Sequence, residues 1–95
     1  MSAQNKAAAA LAELVREDAP AVAWELPPDH QKLYGLLDAA STHDHFVGLA
    51  AWQRVIGAGP LTHATAGEWQ HLTATGSYEG VPVEVVAMIP KGEAL

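Results

Sequence analysis

The strongest pattern of apolar and polar positions in the chain runs from Ser41 to Gly57 and has the periodicity of a helix. Its apolar positions lie three or four residues apart and include two aromatic rings: Phe46, Leu49, Trp52, Val55 and Ile56. Ser41 is a favourable N-cap, with Asp44 in the first turn. Gly57, followed closely by Pro60, ends the pattern. We therefore predict a central helix over 41–57 whose aromatic stripe lies in the core.

A second helix is predicted over residues 2–17, within an N-terminal segment of residues 1–18. Alanine and leucine, which favour helices, dominate this segment. Three residues form a narrow apolar stripe, with a fourth beside it: Ala8, Leu11 and Val15, then Leu14. A short helix with so small a stripe is marginal alone, so we expect it to pack closely on the rest of the fold.

Alternation of apolar and polar residues predicts strands in four further segments: 21–26, 32–38, 68–76 and 81–89. The segment 32–38 also fits a helix with its leucines on one face, but Gly35 at its centre favours the strand. Residues 61–66 form either a loop or a short irregular strand. Pro82 lacks a backbone donor, which predicts a sheet edge or a bulge at that end of the last strand.

The order helix, hairpin, helix, hairpin predicts one α+β domain over residues 1–95. We expect two layers, with an antiparallel sheet of four or five strands, the central helix on one sheet face and an additional N-terminal helix. The compact core would span 20–90, and 91–95 would fray. A chain of 95 residues suffices for one such domain and is too short for two.

Both faces of the predicted sheet carry apolar side chains. Val86 and Met88 point away from the valine row of the last strand, and Tyr34 and Leu36 can join them. Tyr78, in the turn before the last strand, is the aromatic ring expected to be most exposed. Because one helix covers one face, either the N-terminal helix or a second subunit must cover the other, and we expect a homodimer. The candidate interface residues are Leu11, Leu14, Val15, Tyr34, Leu36, Tyr78, Val86 and Met88.

The charge distribution argues against nucleic acid and anionic membranes as partners. The net charge is −6, and the five Lys and Arg residues are scattered along the chain. No apolar run approaches the roughly 20 residues that span a bilayer, and no signal-peptide pattern opens the sequence. The chain contains no cysteine, so it forms neither disulfides nor thiolate metal sites. We expect a cytoplasmic protein.

The residues with most potential for chemistry are His43, Asp44 and His45, at the start of the central helix. Imidazole pairs bind Zn or Ni, and His63 and His71 could contribute further ligands. Side chains two residues apart on a helix point in different directions, however, and no four-ligand spacing is present. These residues are therefore weak metal candidates, and we assign no metal, cofactor or catalytic residue. The glycines form no phosphate-binding fingerprint.

Several short segments, spread over residues 20–90, are similar in arrangement to small uncharacterised proteins of actinobacteria and of their phages or mobile elements. They are Ala23-Trp24, Leu33-Tyr34-Gly35, Trp52 in its helix, His71-Leu72 and Gly80-Val81-Pro82-Val83. The alanine-rich, lysine-poor composition resembles that of proteins from high-GC genomes. The resemblance implies no activity, and no functional residue is transferred from it.

The function predicted from the sequence is that of a small non-enzymatic protein-interaction module, accessory or regulatory in role. It would act on another protein, as a homodimer. One alternative is a small-ligand or metal-binding protein that uses the region around His43 and His45. A less favoured alternative is a small enzyme with a His/Asp acid–base pair.

Overall fold

The structure is a computed structural model that describes residues 3–17, 22–25, 32–37 and 41–90. Its two helices and five strands are α1 (Ala3–Leu14), β1 (Val22–Glu25), β2 (Leu33–Leu37), α2 (Thr42–Ile56), β3 (Thr62–Ala66), β4 (Trp69–Tyr78) and β5 (Val81–Pro90). The α+β class is confirmed, with one sheet, an N-terminal helix and a central helix. The tail at 91–95 lies outside the described residues. Neither described helix is long and apolar enough to cross a membrane.

The five strands form one mixed sheet in the order β1-β2-β5-β4-β3. Three neighbouring pairs are antiparallel, but β2 and β5 run parallel, with Leu33 opposite Val83 and Leu36 opposite Val86. The expectation of a wholly antiparallel sheet was therefore wrong at this pair. The alternating pattern of a strand is the same for either direction, so the local sequence does not determine the direction of pairing.

The two segments with open sequence interpretations are both strands. Residues 32–38 contain β2, as Gly35 indicated, and residues 61–66 contain β3. Pro82 lies in β5, which is a central strand, but at this end β5 pairs on one side only, as the missing donor predicted. Pairing with β2 begins only at Val83, which leaves Pro82 with Ser77 of β4 as its partner. The missing donor is tolerated because Pro82 lies at the end of the strand, before the second ladder starts.

Tight turns fix the register of the last three strands. Gly67 and Glu68 join β3 to β4, and Gly67 has a left-handed φ of 61°, as the first central residue of a type II′ turn requires. Glu79 and Gly80 join β4 to β5 with φ of 52° and 79°, the positive pair of a type I′ turn. Both turn types match the twist of a two-stranded ribbon, so β3, β4 and β5 form a continuous meander.

The sequence signals at both ends of α2 act as predicted. The Ser41 hydroxyl accepts a hydrogen bond from the Asp44 backbone N–H at 3.1 Å. Gly57 adopts the left-handed conformation with φ 62°, and the Ala58 N–H donates to the Gln53 carbonyl at 2.9 Å. The predicted stripe is confirmed as the core face of α2: Leu49, Trp52 and Ile56 are buried, and Phe46 and Val55 pack at its margins.

The buried face of α1 differs from the predicted stripe. Ala7, Ala10 and Leu14 are buried, whereas Ala8 is exposed and Val15 is 63% exposed. The two stripes are offset by one residue, a rotation of about 100° about the helix axis, and four consecutive alanines at 7–10 do not distinguish between them. Small residues at this face let the helix backbone approach its neighbours closely.

Both helices pack on the same face of the sheet. The alternate residues of β5 that form one row are all buried: Val81, Val83, Val85, Ala87 and Ile89. The buried residues of α1 and α2 belong to one core cluster with that row. In addition, the Tyr78 hydroxyl, on the core side of β4, donates to the Glu17 carboxylate just beyond α1 at 2.7 Å. The N-terminal helix therefore does not cover the second face of the sheet.

Candidate protein-interaction surface

The sheet face opposite both helices is here called the open face. It comprises the alternate strand residues that point away from the core: Ala23 and Glu25; Tyr34 and Leu36; Pro82, Glu84, Val86, Met88 and Pro90; Trp69, His71, Thr73, Thr75 and Ser77; Thr62, Ala64 and Ala66. One row of neighbours crosses all five strands as Ala23, Leu36, Val86, Thr73 and Thr62. Lys32, just before β2, lies at the margin of this face and contacts Glu84 and Tyr34.

Three large side chains of the open face are substantially exposed: Leu36 at 46%, Trp69 at 45% and Tyr34 at 38%. Val86 lies beside Leu36 in the ladder, and both Val86 and Met88 are half-buried by their neighbours. Scattered exposed apolar residues are ordinary, but several on one flat face mark an interaction surface. The open face is therefore the strongest candidate for a functional site among the described residues.

A charged group borders the apolar part of the open face. Lys32 Nζ lies 2.8 Å from Glu84 Oε1 and 5.3 Å from the centre of the Tyr34 ring. The hydrogen bond to Glu84 raises the pKa of Lys32 above its usual value. Since the pair is partly exposed, its net contribution to stability is small, about 0–1 kcal/mol. Its effect is to neutralise Glu84 and to hold the Lys32 side chain against the Tyr34 ring.

The structure brings four of the eight predicted interface residues together. Tyr34, Leu36, Val86 and Met88 all lie on the open face. The other four lie elsewhere: Leu14 is buried in the core, Leu11 packs against the core, Val15 is exposed beyond the end of α1, and Tyr78 is half-buried on the core side. Leu14 and Tyr78 are thus committed to contacts within this chain.

Trp69 is the open-face residue that the interface prediction omitted. The sequence pattern placed Trp69, His71 and Thr73 on one side of β4, and the structure confirms this alternation. The omission arose because a tryptophan in an alternating strand fits the core equally well. Trp52 is buried and Trp24 packs edge-to-face on it, with ring centroids 5.4 Å apart. Of the three tryptophans, Trp69 is the one that faces solvent.

Of the two histidines at the start of α2, His45 contacts the helix terminus. His43 and Asp44 are exposed, and the His45 Nδ1 lies 2.7 Å from the Ser41 carbonyl oxygen. His63 is on the far edge of the sheet, with its Nε2 2.9 Å from Gln70 Oε1. Within the described part of the chain, no three or more metal-ligating side chains come together. His71 lies on the open face, apart from the other histidines.

No protein-family model, curated protein or solved structure matches the chain. The resemblance to small actinobacterial and phage proteins stays a prediction, and the open face must be interpreted from its own chemistry.

The phenol of Tyr78 provides a test of how α1 is held on the sheet. Its hydrogen bond to Glu17, together with burial, raises the pKa of Tyr78 to about 12, from an ordinary value of about 10. A raised pKa stabilises the fold fully below about pH 10, and this stabilisation is lost as the pH rises through about 12. In a Y34F variant, in which Tyr78 is the sole tyrosine, we expect tyrosinate absorbance to appear near pH 12.

Adding Glu17→Gln to the Y34F background should lower this midpoint, since the carboxylate is the main cause of the shift. A midpoint near pH 10 with Glu17 in place would contradict the contact between the end of α1 and β4.

Proposed function

We propose that this protein is a non-enzymatic protein-interaction module whose open face binds a second polypeptide, most simply another copy of itself. The observation that carries the proposal is the placement of both helices on one face of the sheet, which leaves Leu36, Trp69 and Tyr34 exposed on the other. In an α+β domain the uncovered face of an antiparallel or mixed sheet is usually polar. A face that is apolar at several positions is stabilised by a partner.

The size of the open face favours a moderate affinity. Five strands about 4.8 Å apart and roughly 13–33 Å long present a surface on the order of 500 Å². Stable complexes bury about 600–1,000 Å² on each partner, so the area of this face alone is at or below the lower end of that range. Two such faces stack about 10 Å apart, with interdigitating side chains, as in a β-sandwich. We therefore expect association in the micromolar range.

The charge of the open face favours a protein partner over a nucleic acid. Lys32 is the one Lys or Arg among the described residues that border this face, and Glu84 neutralises it. Phosphate backbones are bound by several free cations, which this surface does not provide. The proposal includes a cytoplasmic location, which a cysteine-free chain of net charge −6 fits.

Introducing a charge at the centre of the open face should weaken self-association. Val86 lies between Leu36 and Thr73, so Val86→Lys places an ammonium group in the middle of the proposed contact. We expect the wild type to exceed the 10.0 kDa monomer mass in light scattering at micromolar concentration. V86K should raise the dissociation constant at least about tenfold.

The matched control is Val47→Lys, because Val47 is 54% exposed on α2, away from the sheet. Circular dichroism should show both variants folded, with V47K associating like the wild type. A monomeric wild type at tens of micromolar, or equal effects of the two variants, would contradict self-association through the open face.

A further inference from the structure

Strand β3 has an uncovered edge of a kind that most proteins protect. It is the last strand in the sheet order, and all five of its residues, Thr62–Ala66, are exposed. Edge strands are usually protected against further pairing by lysine, proline or a bulge. The sequence Thr-His-Ala-Thr-Ala contains no proline and no Lys, Arg, Asp or Glu, and its pairing with β4 is continuous from Thr62 to Ala66. The opposite edge strand, β1, carries Glu25.

The turn at Gly67 and Glu68 determines which backbone groups of β3 point outward. In a two-residue hairpin the residues that flank the turn, here Ala66 and Trp69, exchange both backbone hydrogen bonds. Hydrogen-bonded and non-hydrogen-bonded pairs then alternate along the antiparallel ladder. Ala64 therefore bonds to β4 as well, whereas the N–H and C=O groups of His63 and Thr65 point to the free edge.

We infer that β3 pairs antiparallel with β3 of a second copy, with Ala64 on the two-fold axis between them. In this register His63 lies opposite Thr65 of the partner subunit, and Thr65 lies opposite the partner's His63. Both are hydrogen-bonded pairs, so every outward group of His63 and Thr65 is satisfied. Ala64 then lies opposite the partner's Ala64 as a non-hydrogen-bonded pair, with the two Cα atoms about 4.5 Å apart.

The side chains of β3 fit a second copy of the same strand. The two β3 strands approach each other most closely at Ala64, and its methyl side chain is small enough to allow this approach. Thr62 faces the partner's Ala66, again a small residue. No charged residue lies on the strand, so the pairing opposes no like charges although each chain carries −6. The His63 ring is held against Gln70 of its own chain, with Nε2 2.9 Å from Oε1, rather than across the new ladder.

Such a contact uses a different surface from the proposed binding by the open face, and goes beyond it. Two five-stranded sheets become one continuous ten-stranded sheet. The two open faces then form one surface that is twice as wide, measured across the strands. If both contacts form, four copies assemble as two long sheets stacked face to face. Ala64 and Ala66 also lie on the open face, whereas Val86 lies two strands away from the edge, so V86K changes the open-face contact without changing the edge of β3.

Cysteine cross-linking tests the register directly, because the chain contains no cysteine of its own. Ala64→Cys places two thiols at the two-fold axis, within the Cα separation of about 4.4–6.8 Å that a disulfide spans. Ala66→Cys is the matched control, since the two copies of position 66 lie four residues apart along the ladder, about 13 Å. Under mild oxidation we expect A64C to form a covalent dimer at least tenfold faster than A66C.

Charge substitution at positions 64 and 66 provides a second test of the pairing. A64K sets two ammonium groups opposite each other, whereas A66K sets each opposite a threonine. We expect A64K to weaken the edge contact at least tenfold and A66K by less than threefold, with both folded by circular dichroism. Mixing A64K with A64E should restore association as a mixed dimer, because unlike charges then meet at the axis.

Equal cross-linking of A64C and A66C, or no recovery on mixing A64K with A64E, would overturn the inferred pairing. The outcome is separable from that of the open-face proposal. Adding V86K to A64C leaves the expected cross-linking unchanged if the edge contact is correct, whether or not the open face self-associates. Loss of cross-linking in a folded V86K/A64C protein would show that the edge does not pair independently.

Discussion

Replacing Trp52 with alanine is expected to destabilise the fold by about 3–5 kcal/mol, the usual cost of truncating a buried aromatic ring. Trp52 is 2% exposed and lies on the core face of α2 between Leu49 and Ile56. Its ring meets Trp24 of β1 edge-to-face, with an interplanar angle of 83°. The substitution therefore removes a central contact of the helix with the sheet and also the edge-to-face contact with Trp24 of β1.

A domain of this size has a free energy of unfolding of about 5–15 kcal/mol, so W52A removes a large part of it. Denaturant unfolding followed by circular dichroism measures the loss. Val47→Ala, at an exposed position of the same helix, should change the free energy of unfolding by less than about 0.5 kcal/mol. A W52A loss as small as that of V47A would show that Trp52 does not anchor α2.

The second large effect is expected at Gly76, where alanine should destabilise by about 1–3 kcal/mol. Gly76 lies on the core side of β4, opposite Val83, beneath the end of α2. A Cβ at this position would overlap the backbone carbonyl of Ile56, which cannot rotate away as a side chain would. The helix must lift from the sheet to admit the methyl group.

The backbone of Gly76 does not itself require glycine, since its φ is not in the left-handed region. Gly→Ala at such positions normally stabilises by about 0.4–1 kcal/mol, through the unfolded state. The sign of the effect is therefore determined by the contact with Ile56. Gly59→Ala is the control, because Gly59 has open space around it and no positive φ. Equal stabilities of G76A and G59A would contradict the close packing of α2 on β4.

The parts of the fold that the sequence predicted are those determined by local chemistry. Ser41 and Gly57 satisfy backbone groups within one turn of themselves, so the ends of α2 could be placed from the sequence. The alternation of residue types along β5 corresponds directly to one buried and one half-exposed face of the strand. Gly80 indicated the turn before β5 for the same reason, since a positive φ is a local requirement.

The parts that the sequence did not predict depend on contacts between distant segments. The buried side of α1 is defined by what it meets, and its alanines carry too little contrast to reveal it. The parallel pairing of β2 with β5 and the placement of both helices on one face are properties of the assembled sheet. Tyr78 was expected to be exposed within a turn, but it is the last residue of β4, where it bonds to Glu17 and packs against the core.

Only part of the candidate surface could be predicted from the sequence, because the rest depends on contacts between distant segments. Alternation alone placed Tyr34, Leu36, Val86 and Met88 away from the core row, and this required no knowledge of pairing. That these four residues form one surface follows from the β2–β5 ladder, which the sequence pattern did not contain. Strand β3 lacks any strong pattern, so its exposed edge emerged only from the structure.

The parallel ladder between β2 and β5 also has a consequence for how the chain folds. Strands β3, β4 and β5 are joined by two-residue turns, so their contacts close short loops at low entropic cost. The β2–β5 ladder instead brings together segments as distant as Lys32 and Glu84, 52 residues apart. Non-local pairing of this kind is slow because the loop must close before its contacts form. We therefore expect the meander to form first, and the β1–β2 hairpin to dock last and detach first.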